Sequence, residues 1–315
     1  MRLVADALPY RGLKHKRYKK LIMAFNFNGN RTQFHNYQHG TLQGDSHLQR
    51  SGSGHTLVML SFNAQRSKAA STMIIKIVDE QAADLVCIQE PYLINNQIVR
   101  FGGWKVFPHR NFCTTIKTGI LIRNPNIKAN FCTDLSTALV TTVLLSLQDK
   151  DIYLSSVYCS PFQEIEELLD DLQDIDVKIG SKHWVICGDF NSKSSIWHSL
   201  INDDRGHKVC DFIFAKQMVS CNTSPLATYS CTRGESWVNL VLASDSAQHL
   251  IHECYTIDEN GGSDHRFIKI SIKHNDNTLS LCLTMPIRSL FTMRPLNQKF
   301  CTQSRCGERP WITYT

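Results

Sequence analysis

Apolar residues in the middle of the chain fall into two kinds of run: short unbroken blocks, and repeats at helical spacing. "TLVMLSFN" at residues 56–63 reads as a buried strand ending at Asn63. Over residues 67–82, Ala70, Met73, Ile74, Ile77 and Val78 recur at steps of three and four, which predicts an amphipathic helix. "DLVCIQE" at residues 84–90 predicts a second buried strand, stopped by Pro91. Further strands are expected at residues 104–107, 119–123, 139–147 and 152–158, the last two separated by a "QDKD" turn. A helix over residues 163–177 then leads into the strand of "HWVICGDFN". Residues 205–218 read as helix, "SWVNLVLAS" as strand, and "DHRFIKISI" as a closing strand with Phe267, Ile268, Ile270 and Ile272. Strands outnumber helices, and both buried and alternating patterns occur. The expected class is therefore α/β (α+β), with mixed sheets packed on each other and helices outside.

Either end of the chain lacks this order. Residues 1–55 are rich in Asn, Gln, His and Gly and close on "SGSGH", so they are expected to form a basic, poorly ordered extension. Residues 56–275 are expected to form one domain, and residues 276–315 an irregular tail. The charge follows the same division. Nine Lys/Arg face two acids in residues 1–55, and five face two in residues 276–315, which leaves the middle net negative although the whole chain is +6. A basic arm such as "RGLKHKRYKK" suits nucleic-acid phosphates or an import signal, and a solvated segment is the plainer reading.

Composition narrows the classes further. At 42% hydrophobic and 20% charged, 315 residues suffice for one large α/β domain. No apolar run reaches membrane-spanning length and the start lacks a signal-peptide core, so no membrane contact and an intracellular, non-secreted location are expected. Twelve cysteines without a C-x-x-C pair point to a reducing compartment rather than a disulfide framework.

Polar residues recur where the buried strands end: Asn63, Glu90, Tyr158, Asp189 with Asn191, and Asp264-His265 before the last strand, with Asn239 inside another. Residues two apart at a strand end share a side, so Asp189 and Asn191 are expected to occupy one patch while Phe190 turns inward. Taken singly, each is more simply a turn former or a loop cap.

As an ordered set, "SFN", "CIQEP", "SSVYCSP", "CGDFN" and "GGSDH" resemble the motifs of the endonuclease/exonuclease/phosphatase superfamily, the DNase I-like fold. "NAQRSKAA", "IQEPYL", "SSIWHS" beside "NDDRG", and "GESWVNLVLAS" look most like the endonuclease domains of non-LTR retrotransposon polyproteins. The resemblance covers residues 56–273. It implies a four-layer sandwich of two mixed sheets flanked by helices, Mg²⁺ (Mn²⁺ as a substitute), and hydrolysis of a phosphodiester in double-stranded DNA. By the same resemblance Glu90 holds the metal, with Asn63 and Asp264 nearby. Asp189 orients and deprotonates the attacking water, and Asn191 holds a phosphoryl oxygen or the water. Tyr158 and His265 donate to developing charge. Arg66, Lys68, Lys193, Arg205 and Arg233 lie in or beside the motif loops and are the expected DNA contacts.

Two features depart from that pattern. Asn239 stands where the family has an Asp paired with the histidine, so His265 is expected to be harder to protonate and nicking to be slowed. The chain also ends without a reverse transcriptase, which suggests a fragment or a truncated copy of such an element, acting in the nucleus if functional. Another phosphoesterase of the superfamily, or a decayed domain that binds DNA at most, are the alternative readings.

Overall fold

In the computed structural model the described residues are 55–108, 115–147 and 150–274. The expected basic extension up to residue 54 and the tail after residue 275 lie outside them. Strand β1 (His55–Asn63) leads into helix α1 (Lys68–Glu80), which Ser67 caps by accepting the Ala70 N–H, and the chain returns as β2 (Leu85–Gln89). A small hairpin, β3 (Leu93–Ile94) with β4 (Gln97–Ile98), precedes β5 (Lys105–Pro108) and β6 (Thr118–Ile122). Then come β7 (Lys128–Phe131), β8 (Val140–Ser146), β9 (Asp151–Tyr158), α2 (Ile165–Ile179), β10 (His183–Asp189) and α3 (Asp204–Ala215). The chain closes with β11 (Val219–Ser220), the hairpin β12 (Tyr229–Cys231) and β13 (Gly234–Ser236), β14 (Asn239–Ala243), β15 (Ile251–Thr256) and β16 (Ile268–His274).

Two six-stranded mixed sheets result. Sheet one runs β15-β16-β1-β2-β6-β5 and sheet two β11-β14-β10-β9-β8-β7. One apolar cluster between the sheets includes Met59, Leu85, Ile120, Leu154, Val185, Val241 and Ile270. Outside sheet two, Leu168, Leu172 and Ile175 of α2 and Val209 and Ile213 of α3 pack on Trp184 and Ile186. Outside sheet one, Ala70, Ile74 and Ile77 of α1 cover Leu60, Phe62 and Ile88. These are the four expected layers. The main strands and all three helices fall where the hydrophobic pattern places them. The edge strands β7 and β15 do not register in that pattern, because each buries only part of its length and carries polar residues outward.

Toward one end the space between the sheets turns polar. Gln89 Nε2 donates to Ser156 Oγ at 3.1 Å, and Thr118 and Thr141 share a hydroxyl contact at 2.8 Å. Both pairs join sheet one to sheet two. Buried polar groups bonded in this way fix the relative register of the two sheets at the end where the polar strand termini collect.

Candidate active site

Register brings the candidate residues together. In sheet two, Asp189 pairs with Tyr158 on one side and with Asn239 on the other, so three functional candidates form one row across β9, β10 and β14. In sheet one, Asn63 pairs with Gln89, which precedes Glu90. Gly188 explains why the run of β10 stops at glycine before Asp189. A Cβ there would sit 2.0 Å from the Val157 carbonyl oxygen, so only glycine lets the two strands approach this closely.

Asn63 links the sheets. Its Nδ2 donates to Asp189 Oδ2 at 2.9 Å and more distantly to Glu90 Oε2 at 3.5 Å, while its Oδ1 accepts the Gln65 N–H. Asn63 thus meets both carboxylates through its N–H groups and not through an oxygen. Glu90 and Asn191 have left-handed backbones, with φ of 44° and 47°. That conformation suits Asn but costs Glu about 1–2 kcal/mol. Glu90 is held in it by two backbone bonds, its N–H to Lys117 O and its C=O from the Arg66 N–H. The Asn191 N–H turns back to Asp189 Oδ1, and Asn191 Nδ2 donates to the Cys159 carbonyl. Phe190 is fully buried, as its position in the strand end predicts.

Asp189 is 1% exposed, and burial raises its carboxyl to about 7 despite the bonds from Asn63 and Asn191. Burial and the neighbouring carboxylates of Glu90 and Asp189 hold the Tyr158 phenol well above its usual range, and it hydrogen-bonds Glu90. His265 places Nε2 3.9 Å from Asp189 Oδ2, and its Nδ1 lies 2.7 Å from Asn239 Oδ1. Burial lowers His265 to about 3, and the amide of Asn239 brings no negative charge to offset it. With Oδ1 facing the ring, Nδ1 donates and Nε2 is an acceptor, while Asn239 Nδ2 is buried with no partner. Turning the amide over would set Nδ2 on the ring nitrogen and leave an Nε2–H free to donate from a neutral histidine.

The other candidates are placed less centrally. Asp264 is exposed, its N–H bonded to Gln65 Oε1 and its carboxylate 3.5 Å from the Tyr229 hydroxyl. Arg66 is exposed and stands 3.7 Å from Glu90 Oε1. Lys68 is exposed on the first turn of α1, and Arg233 at the tip of the β12–β13 hairpin. Lys193 is half-buried in the loop after β10. Arg205, expected at the DNA surface, directs its guanidinium to the carbonyls of Phe190, Asn191 and Gln163. Sequence reasoning missed Tyr229, whose ring stands edge-on to His265 at 4.9 Å, and Ser263, whose hydroxyl donates to the Asn63 carbonyl. The aromatic residue in "ATYS" just upstream of "GESW" was the available signal for Tyr229.

Among the described residues no three carboxylate, imidazole or thiol side chains are arranged to hold an ion by themselves. The donor set does fit Mg²⁺, which keeps several of its waters and needs only one or two carboxylates.

Comparison with known proteins agrees with this geometry. A family model described as endonuclease-reverse transcriptase matches residues 152–269. A Pol polyprotein from the type-1 retrotransposable element R1 of Bradysia coprophila is 24% identical over 164 residues, which is 49% of this chain and 16% of that protein. The chain therefore spans about a sixth of the length of that curated relative. The endonuclease domain of TRAS1, a telomere-specific non-LTR retrotransposon, superposes with a TM-score of 0.65 at 25% identity, over 70% of this chain and 99% of that one. The AP endonuclease LMAP of Leishmania major has the same fold at 12% identity and a TM-score of 0.56, over 70% of this chain and 88% of that one. With its two stacked mixed sheets and the row of Tyr158, Asp189 and Asn239 facing Glu90 through Asn63, the chain is similar in fold and sequence to the endonuclease domains of non-LTR retrotransposons, within the DNase I-like group of endonuclease/exonuclease/phosphatase proteins.

Proposed function

We propose that the protein is an Mg²⁺-dependent endonuclease that nicks one strand of double-stranded DNA, acting in the nucleus and derived from a retrotransposon. The observation that carries this reading is the Asn63 bridge, which sets a dry carboxylate at 2.9 Å and a wetter one at 3.5 Å around a single amide, with His265 alongside. Glu90 would hold the metal, and Asp264 would reach it from the exposed loop. When bound, Mg²⁺ supplies positive charge against which a phosphodiester anion can be held.

The chain's own residues divide the remaining work. Asp189, raised to about 7, is matched to take a proton from the attacking water near neutral pH. As the water oxygen bonds to phosphorus, the bond from phosphorus to the leaving deoxyribose oxygen breaks and that oxygen takes up a proton. Asn63 and the Asn191 N–H keep the Asp189 carboxylate aimed, while Asn191 lies beside it to hold the phosphate or the water. Tyr158 would donate to charge developing on phosphoryl or leaving oxygens, and His265 would do so through Nε2–H with the Asn239 amide turned over. Arg66, Lys68, Lys193 and Arg233 supply cations on the same loops for backbone phosphates. A slowed enzyme is the second reading, favoured by the amide of Asn239 against a histidine that burial keeps neutral.

A plasmid-nicking assay tests the proposal. The full-length protein should convert supercoiled DNA to open circle with Mg²⁺ and not with EDTA, and both Glu90→Ala and Asp189→Ala should abolish the conversion. A folded wild type that binds Mg²⁺ without nicking would sink the reading.

A further inference from the structure

Residues 202–206, Asn-Asp-Asp-Arg-Gly, open α3 and lie against the loop leaving β10. Asp203 caps the helix: its Oδ1 accepts the Gly206 N–H at 2.6 Å and also the Lys193 N–H at 3.0 Å, while its own N–H donates to Lys193 O. Gly206 permits the approach, because a Cβ there would lie 1.9 Å from the Lys193 carbonyl oxygen. Within the first turn, Arg205 donates Nε to Asn191 O at 2.8 Å, Nη2 to Phe190 O at 3.0 Å, and Nη1 to Gln163 O. Two of those carbonyls belong to the turn directly after Asp189. The third belongs to the loop after Tyr158. We infer that Arg205 is a positioning residue: its guanidinium locks the loop carrying Asp189 and Asn191 to the loop following Tyr158, and so fixes both sides of the reacting site.

The chemistry favours arginine for this task. A guanidinium offers five N–H donors in one rigid plane, whereas an ammonium is a point charge that cannot reach three carbonyls set in different directions. Asn191 Nδ2 ties the same two loops through one bond to the Cys159 carbonyl, and the guanidinium adds three more between them. A guanidinium engaged by three backbone carbonyls is also poorly placed to contact phosphate. The catalytic consequence rests on the nuclease reading. The loop-locking itself does not.

The test compares full-length wild type with Arg205→Lys and Arg205→Ala by hydrogen exchange over residues 159–164 and 189–194, by thermal melting, and by nicking at several salt concentrations. Exchange at the Asn191 and Lys193 amides should accelerate about tenfold in both variants while the strands keep their protection. The turnover rate should fall about a hundredfold, the cost of a misplaced group, with KM for DNA and its salt dependence unchanged. Unchanged loop protection would overturn the inference. So would an unchanged turnover rate per folded molecule, which would leave Arg205 a purely structural clamp. A loss confined to KM with a salt slope lower by about 0.9 would mark a phosphate contact and overturn it too. Should wild type fail to nick, the nuclease reading falls alone and the exchange data still decide the role of Arg205. Should Arg205→Ala not fold, Arg205→Lys carries the comparison.

Discussion

Glu90 and Asp189 leave facing sheets at the same rim and meet through one amide, yet their surroundings are opposite. Glu90 keeps 20% of its side chain in solvent, has the Arg66 guanidinium at 3.7 Å, and accepts from Tyr158. Asp189 is sealed at 1% exposure between an amide, a backbone N–H and a histidine that burial keeps neutral. The wet carboxylate is suited to share a hydrated cation. The dry one holds a proton near neutrality, which is what a base in a working cycle needs. On the proposed reading the solvent and the dipoles around them give two residues of one chemistry two roles, and those roles should separate under mutation.

Removing only the charge of the dry carboxylate should give the largest effect. Asp189→Asn keeps the shape and is expected to lower nicking by about 10²–10⁴-fold, the usual worth of a positioned general base. The same substitution should stabilise the metal-free domain at alkaline pH. The sign follows from linkage: a carboxyl at about 7 in the folded chain and about 3.9 unfolded binds more protons when folded between those values. Wild-type stability in EDTA therefore falls as pH rises from about 4 to 7, by at most about 4 kcal/mol. Melting wild type and Asp189→Asn at pH 5 and pH 8 in EDTA checks this. Equal pH dependence in the two proteins would mean that Asp189 is not the buried acid described here.

A smaller effect should come from restoring charge on the far side of His265. Asn239→Asp gives Nδ1 an anionic acceptor and removes the buried Nδ2 that has no partner. Burial holds wild-type His265 near 3, so it stays neutral from pH 5 to 8 and contributes no limb to the rate profile there. Raising its pKa should create one, with the rate falling as pH passes the new value and His265 loses its proton. The expected gain at pH 6 is up to about a hundredfold, short of the ~10⁴ that the same exchange costs a hydrolase triad. A variant with unchanged rate and profile would show that a neutral Nε2–H, with the amide turned over, already serves.

Much of this was legible in the sequence, for identifiable reasons. Buried strands announce themselves as unbroken apolar runs, so β1, β2, β9 and β10 and their polar ends could be read directly. The inward turn of Phe190 followed from strand alternation alone. The edge strands β7 and β15 were not legible, since a half-exposed strand lacks a distinctive pattern. Nor was the fate of Arg205, because residue type says nothing about whether a guanidinium meets phosphate or three carbonyls of its own chain. Tyr229 escaped for a similar reason: its place beside His265 comes from the β12–β13 hairpin, a contact that no spacing in the chain encodes.

The comparison of the two carboxylates presumes that the sheets bearing them keep a fixed offset, and the polar bolts beneath the rim are what hold it. Thr118 of sheet one and Thr141 of sheet two are both fully buried and bonded only 2.8 Å apart. Replacing one by valine strands the other hydroxyl in a dry site, which should cost about 1–3 kcal/mol. Replacing both removes donor and acceptor together at constant shape, so Thr118→Val with Thr141→Val should recover most of that loss. A double-mutant cycle by urea denaturation in EDTA measures the coupling. If it is favourable, nicking by the double variant reports on alignment alone: an unchanged rate would mean that apolar packing suffices to hold Glu90 and Asp189 in register, and a fall of even threefold would assign the hydroxyl bolt to the site above it.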